Sequence, residues 1–174
     1  MSKLTLSPLT ATRLQIPGAD RWYANPGDPA LSVMTDFRER SSVTVSEALP
    51  IDAALEHMKH TGVRCAFAID EPQRQVAGLI TAYDIMGEKP MRYLRAVPGQ
   101  RHEVLVRDIM LRLGDWRVAD VGDLERSTVA SVSRHFDETQ LTHIPVMEFN
   151  QDGRRQLRGL LSAAKVKRLL AKQG

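Results

Sequence analysis

Two short phrases in this chain place a hydroxyl and a charge at helix-turn spacing. Thr81-Ala82-Tyr83-Asp84 follows the apolar run Gly78-Leu79-Ile80, and Ser162-Ala163-Ala164-Lys165 follows Gly159-Leu160-Leu161. Each reads as a strand, then Thr or Ser, then the first turn of a helix. A hydroxyl at such a junction caps the helix, and the free N–H groups beside it favour an anion. Three residues on, the copies part. Asp84 carries an ionised carboxylate, which only accepts hydrogen bonds and so suits two vicinal hydroxyl donors. Lys165 offers donors only. The pattern predicts one competent site at Asp84 and an altered or empty one at Lys165.

The same spacing has a purely structural use. Thr81-x-x-Asp84 nearly matches a capping box, in which both side chains satisfy the helix's own N–H groups. If Asp84 binds a ligand, its charge-assisted hydrogen bonds contribute roughly 1.5–3 kcal/mol, about ten- to a hundredfold in affinity. Lys165 opposes the helix dipole by a few tenths of a kcal/mol. It either extends into water, binds an anion, or substitutes for ligand charge in its own cleft. Lys167, Arg168 and Lys172 continue a basic run that reads as a solvated helix face.

Other reactive side chains form no recognisable constellation. His57 and His60 are three apart on one helix, without an evident third metal ligand. His143 opens a strand, where it is either a ligand contact or an ordinary strand-edge residue. Arg64 is either a phosphate contact or half of a surface ion pair. Cys65, the single cysteine, sits in the apolar run Cys65-Ala66-Phe67-Ala68-Ile69 and reads as a buried thiol in a reducing compartment. No Cys or Ser nucleophile stands in a recognisable context, and no metal cluster or phosphate-binding glycine loop of the P-loop or dinucleotide type is evident, so no catalytic residue is assigned.

The elements that position these groups come in two similar sets. In the first, Val43–Val45 is a strand and Pro50–Thr61 a helix, with Pro50 in its first turn and Gly62 after its last. Ile51, Ala54, Leu55 and Met58 form its apolar stripe. Strands 66–69 and 76–80 and a helix from Ala82 to Met86 complete the set. In the second, Asp123–Phe136 is expected as one helix, followed by strands 143–147 and 157–161 and a helix over 163–172. Its first strand falls somewhere in 116–121. Each set is preceded by a lead-in, Val33-Met34 and Val106-Arg107-Asp108-Ile109-Met110.

The 174 residues are 43% hydrophobic, enough to pack a core. With 24 basic and 21 acidic side chains, the net charge of +3 is too even to argue for nucleic acid. No apolar stretch is long enough to span a membrane, and no signal region opens the chain, so a cytoplasmic protein is expected. Residues 1–29, rich in Pro, Thr, Ser and Gly, read as an extension with one edge strand within 4–16. The expected organisation is an extension (1–29), a first module (30–88), a linker (89–104) and a second module (105–174). The stretch 87–103 is expected as a solvated connection with at most one helical turn.

The repeated Gly-apolar-apolar-Thr/Ser-x-x-Asp phrase, the Val-Met and Asp-Ile-Met lead-ins, the Leu141-Thr142-His143-Ile144-Pro145-Val146 strand and the repeated element order resemble a tandem pair of CBS domains, over residues 30–174. The resemblance implies an α+β fold of two pseudo-twofold-related modules, each strand-helix-strand-strand-helix, packed through their sheets. It implies a regulatory ligand rather than a required cofactor: an adenine nucleotide (AMP, ADP or ATP) or S-adenosylmethionine, bound in an inter-module cleft of a homodimer that regulates some other protein. By position, Asp84 would hold the ribose hydroxyls and Thr81 the phosphate. Thr44, Val45, Ala66 and Phe67 would frame the adenine. In the second cleft, His143, Ile144, Ser162 and Lys165 take the matching positions, with Lys165 departing from the pattern. Other readings are a ligand-free dimerisation scaffold, a nucleic-acid binder using the basic segments, and, least favoured, an enzyme.

Overall fold

The computed structural model describes residues 23–171. The edge strand expected within 4–16 and the end of the last helix at Lys172 lie outside the described residues. Eight strands and seven α-helices follow in chain order: β1 (Thr35–Asp36), β2 (Thr44–Ser46), α1 (Ile51–Thr61), β3 (Cys65–Asp70), β4 (Gln75–Thr81), α2 (Ala82–Met86), α3 (Lys89–Ala96), α4 (Val106–Ile109), β5 (Leu111–Arg112), β6 (Ala119–Asp120), α5 (Val121–Glu125), α6 (Val129–Thr139), β7 (His143–Phe149), β8 (Arg155–Ser162) and α7 (Ala163–Leu170). The fold is the expected α+β pair, with the two repeats packed through their sheets.

Local chemistry explains the elements that the sequence marked. Pro50 precedes α1, Gly62 ends it in the left-handed conformation at φ 69°, and Ile51, Ala54 and Met58 are buried along one face. Strand alternation divides β3 and β4 between two faces. Ala66, Ala68 and Ile80 pack against the helices. Cys65, Phe67 and Leu79 turn the other way and meet Phe37, Trp116, Leu157 and Leu160. With both faces covered, Cys65 to Ala68 are all buried.

Two expectations are corrected. The segment 123–136 is not one helix; it breaks at Arg126–Thr128, between α5 and α6. Thr128 caps α6, its Oγ1 accepting from the Ser131 N–H at 3.3 Å. The first α6 amides donate outward, Val129 to the Asp28 carbonyl and Ala130 to the Pro26 carbonyl, both at 2.9 Å. A chain segment from the other end of the sequence thus satisfies amides that a continuous helix would use internally. The stretch 87–103 is not a solvated loop either. It holds α3, with Pro90 buried in its first turn and Tyr93 and Leu94 packed on the first core. The helical spacing of Pro90, Tyr93 and Leu94 was the overlooked signal.

The lead-ins cross over. Each sheet has four strands, in the orders β2-β3-β4-β5 and β1-β8-β7-β6. The edge strand β1, which opens the first repeat, pairs antiparallel with β8 of the second, and β5, which opens the second, pairs antiparallel with β4 of the first. Ala30, Val33 and Met34 are buried in the core of the second repeat; Val104, Val106 and Ile109 are buried in the core of the first. Arg158 on β8 pins one crossing, with ion pairs to Asp36 at 2.6 Å and to Glu148 at 3.2 Å.

Each crossing runs over a glycine. A Cβ on Gly78 would stand 2.6 Å from the Leu111 carbonyl oxygen and 2.7 Å from Met110 Sδ. On Gly159 it would stand 2.5 Å from the Thr35 carbonyl oxygen and 2.7 Å from Met34 Sδ. The repeated Gly therefore serves backbone approach, and the repeated Met covers it. Gly78→Ala and Gly159→Ala should each destabilise the protein by about 1–3 kcal/mol through overpacking. Urea unfolding midpoints check this, and an unchanged midpoint in both variants would contradict the close approach.

Candidate functional site

A cavity of about 570 Å³ opens between the two repeats. Its apolar lining comes from Phe37, Val43, Val63, Phe67 and Leu160. The cations Arg64, Lys165 and Arg168, the hydroxyls of Thr35, Ser41 and Ser162, and His143 and Cys65 also line it. Among the described residues, no Asp or Glu lines it. Its volume suits a small molecule with one flat apolar part and one anionic part.

Of the residues singled out by sequence, Arg64, Cys65, Phe67, His143, Ser162 and Lys165 meet at this cavity. Val45 and Ala66 lie in the first helix-facing core, and Thr44 is exposed at the first residue of β2. Ile144 is buried in the second core. Val43, just before β2, lines the cavity, whereas Val45 is buried in the first core. Thr35, Phe37 and Ser41 join only because their segment crosses between repeats, which no local pattern announces. Arg168 stands one helical turn beyond Lys165 on α7, a spacing visible in the sequence.

Phe67 anchors the apolar wall. It is 3% exposed, with its ring centroid 5.6 Å from that of Phe37 at a near-perpendicular 84° and 5.8 Å from that of Trp116. Such edge-to-face contacts hold a ring in place beyond what area burial supplies.

Thr81 and Asp84 do not line the cavity. They form a complete capping box at the start of α2. Asp84 Oδ2 accepts from the Thr81 N–H at 2.9 Å and from Thr81 Oγ1 at 2.7 Å. Asp84 Oδ1 pairs with Lys89 Nζ at 2.8 Å, and Lys89 Nζ also donates to the Ile109 carbonyl at 3.4 Å. Both carboxylate oxygens are thus engaged by the protein itself.

The second copy lacks the reciprocal half of that arrangement. Ser162 caps α7 through a long 3.5 Å bond from the Lys165 N–H. Lys165 Nζ instead reaches the crossing segment, donating to the Met34 carbonyl at 3.4 Å and to Thr35 Oγ1 at 3.3 Å. A cation in the first turn of α7 is thereby tied to the strand that completes its sheet.

Burial and Asp84 act on two further groups. Burial pushes the Cys65 thiol up to about 12, and the Asp84 charge adds to this, so the thiol stays protonated. Burial pushes His143 down to about 4, with Asp84 partly opposing it. Arg64 Nη1 donates to Tyr83 Oη at 2.9 Å on the rim. His57 and His60 are exposed on α1, with His60 Nδ1 2.8 Å from the Glu56 carbonyl oxygen. Among the described residues no group of three or more His, Cys, Asp or Glu is arranged to hold a metal, and no helix is long and apolar enough to cross a membrane.

The CBS domain family model matches residues 30–90. No curated protein matches the chain. Among solved structures, CBSX2 from Arabidopsis thaliana is 22% identical, with a TM-score of 0.51 over 82% of this chain and 93% of that one. CBSX2 in complex with AMP is also 22% identical, with a TM-score of 0.55 over 82% and 95% of the two chains. A conserved protein from Pyrococcus horikoshii is 20% identical, with a TM-score of 0.56 over 87% and 96%. The CBS match thus covers the first repeat, and the chain has the fold of CBS-pair proteins.

The half-buried His143 makes stability depend on pH. It is neutral in the fold down to about 4, whereas an unfolded histidine protonates near 6.5. Its contribution is therefore complete above about 6.5 and is lost as pH falls toward 4, by up to about 1.4 kcal/mol per pH unit. Urea midpoints between pH 7 and pH 5 should fall more steeply for the wild type than for His143→Gln. Superimposable profiles would show that the imidazole is not penalised by burial.

Proposed function

We propose that this protein is a non-catalytic regulatory module that senses an adenosine-containing ligand (AMP, ADP, ATP or S-adenosylmethionine) in the cleft between its two repeats. It works as a cytoplasmic homodimer that passes occupancy to a partner protein. The observation that carries the reading is the inter-repeat cavity, whose lining combines aromatic Phe37 and Phe67 with the cations Arg64, Lys165 and Arg168 and the Ser162 hydroxyl. A purine suits the aromatic part of such a lining and a phosphate the cationic part. The AMP complex of CBSX2, a protein of the same fold, supports the ligand class.

The crossing strands offer a route for the signal. Thr35 on β1 and Lys165 on α7 share the cavity, and β1 belongs by sequence to the opposite repeat from the sheet it completes. A ligand wedged there shifts the fit of one repeat against the other only if it binds two conformations with different affinity. Tyr83, Met86 and Met91 expose apolar surface on α2 and α3, which supports a face for a second copy.

One observation favours a second reading. Asp84, the carboxylate expected to read ribose, is held by Thr81 and Lys89. That suits a ligand-free scaffold, in which the repeated phrase only caps helices. Calorimetric titration of the purified protein with AMP, ADP, ATP and S-adenosylmethionine separates the two. Saturable binding by at least one supports the sensor; no heat from any of them, with the protein folded, favours the scaffold.

A further inference from the structure

We infer that the second repeat holds a site of its own for a small apolar carboxylate, in a pocket lined by β6, α5, α6 and β7 on the helix side of its sheet. The site is independent of any ligand in the cavity between the repeats.

The pocket has a volume of about 340 Å³, at the small end of the range for ligand sites. It shares no lining residue with the inter-repeat cavity. Strand alternation separates the two spaces. His143, Leu160 and Ser162 line the inter-repeat cavity. Their neighbours Ile144 and Leu161 line the pocket and belong to the second core, on the opposite face of β7 and β8.

Two departures from the first repeat accompany the pocket. Ala119 on β6 stands where the first repeat has Val45 on β2. Val45 pairs with Ala68 and Ala119 with Val146, and Ala68 and Val146 each lie opposite the repeated glycine, Gly78 or Gly159. Val45 is 6% exposed and fills its place in the first core. Ala119 has the smaller side chain and is only partly buried against the second core. The other departure is α5, a helical turn between β6 and α6 that has no counterpart between β2 and α1. Leu124 on α5 and Val132 on α6 line the space with Ala119.

The polar lining selects the class of ligand. Ser127 Oγ donates to the Asp123 carbonyl and Ser131 Oγ to the Thr128 carbonyl, both at 2.7 Å. The Asp123 carboxylate pairs with Arg126 at 2.8 Å. The side chains of Arg117 and His135 also line the pocket and are exposed, and among the described residues neither has a hydrogen-bond or ion-pair partner. Arg117 thus carries the uncompensated charge of the lining. Its guanidinium fork matches a carboxylate, and an imidazole offers a further N–H donor. Val118, Leu141 and Ile144 give apolar surface to a ring or branched chain. A sugar would set hydroxyls against that surface without partners.

The test is titration of the full chain with phenylacetate and, separately, with uncharged phenylacetamide, followed in assigned amide proton–nitrogen NMR spectra and repeated with Arg117→Gln and Ala119→Leu. Expected is saturable binding of phenylacetate in the millimolar range or tighter, as about ten non-hydrogen atoms allow. The shifts should gather at amides 117–124, 131–135 and 141–144. Phenylacetamide on the wild type, and phenylacetate on Arg117→Gln, should bind about tenfold more weakly, the loss of one charge-assisted contact. Ala119→Leu puts a larger side chain into the pocket and should abolish binding while its spectrum stays dispersed. The shift map of the wild type stands even if a substitution unfolds the protein. Absence of any saturable shift overturns the inference. So do shifts gathered at 63–67 and 160–165, which put phenylacetate in the inter-repeat cavity, and equal affinity for acid and amide, which removes the carboxylate from recognition.

Discussion

Two-residue strands rarely decide a fold, yet β1 and β5 do so here by closing the sheet of the opposite repeat. Each brings an apolar lead-in with it. Val33 and Met34 are buried in one core, and Val104, Val106 and Ile109 in the other. Neither core is complete without chain from the far repeat, so the repeats are coupled by burial as well as by contact between sheets. The coupling is tight because Gly78 and Gly159 let the crossing backbone come within a distance that a Cβ would forbid. At β8, Arg158 adds charge to that contact. Its pairs with Asp36 and Glu148 are close, but Nε and Nη1 make no aligned hydrogen bond. The attraction there is mainly Coulombic, in a partly buried setting where a lone charge would be costly.

This constraint also shapes the cleft. Because β1 crosses, Thr35 and Phe37 meet α7 and β3 at one cavity, whose lining comes from four separate stretches of chain. Phe67 sits where these stretches meet, touching Phe37 on one side and Trp116 on the other. An aromatic held between two others is a stiff wall. A stiff wall limits the conformational cost that a bound ring must overcome.

The two copies of the repeated phrase answer one electrostatic problem in opposite ways. Both place an ammonium against a carbonyl of the crossing segment: Lys89 on Ile109, and Lys165 on Met34. In the first copy the ammonium comes from α3 and is neutralised by Asp84. In the second, Lys165 stands where the first copy has its carboxylate and itself supplies the ammonium, and it lines the cavity. A substitution that looks like decay of a site thereby changes the sign of its charge.

Elements with a strong local cause were legible in the residues. The stripe of Ile51, Ala54 and Met58, the Pro50 and Gly62 boundaries and the Thr81-x-x-Asp84 cap are decided by neighbours a few positions apart, and the chain alone determined them. The paired α+β architecture was also readable, since a repeated phrase with repeated element order implies a repeated unit. Other features depend on partners distant in sequence. The break before α6 exists because Asp28 and Pro26 accept its first amides. Helix α3 docks because Pro90 finds a buried place. Which hydroxyl and which cation open onto the cleft depends on where the lead-ins cross. Backbone preference and hydrophobic period act along the chain, and they carry no information about which distant carbonyl or side chain will complete a surface. Only the folded arrangement decides that Asp84 is engaged by its own helix cap and Lys89 while Lys165 lines the cavity between the repeats.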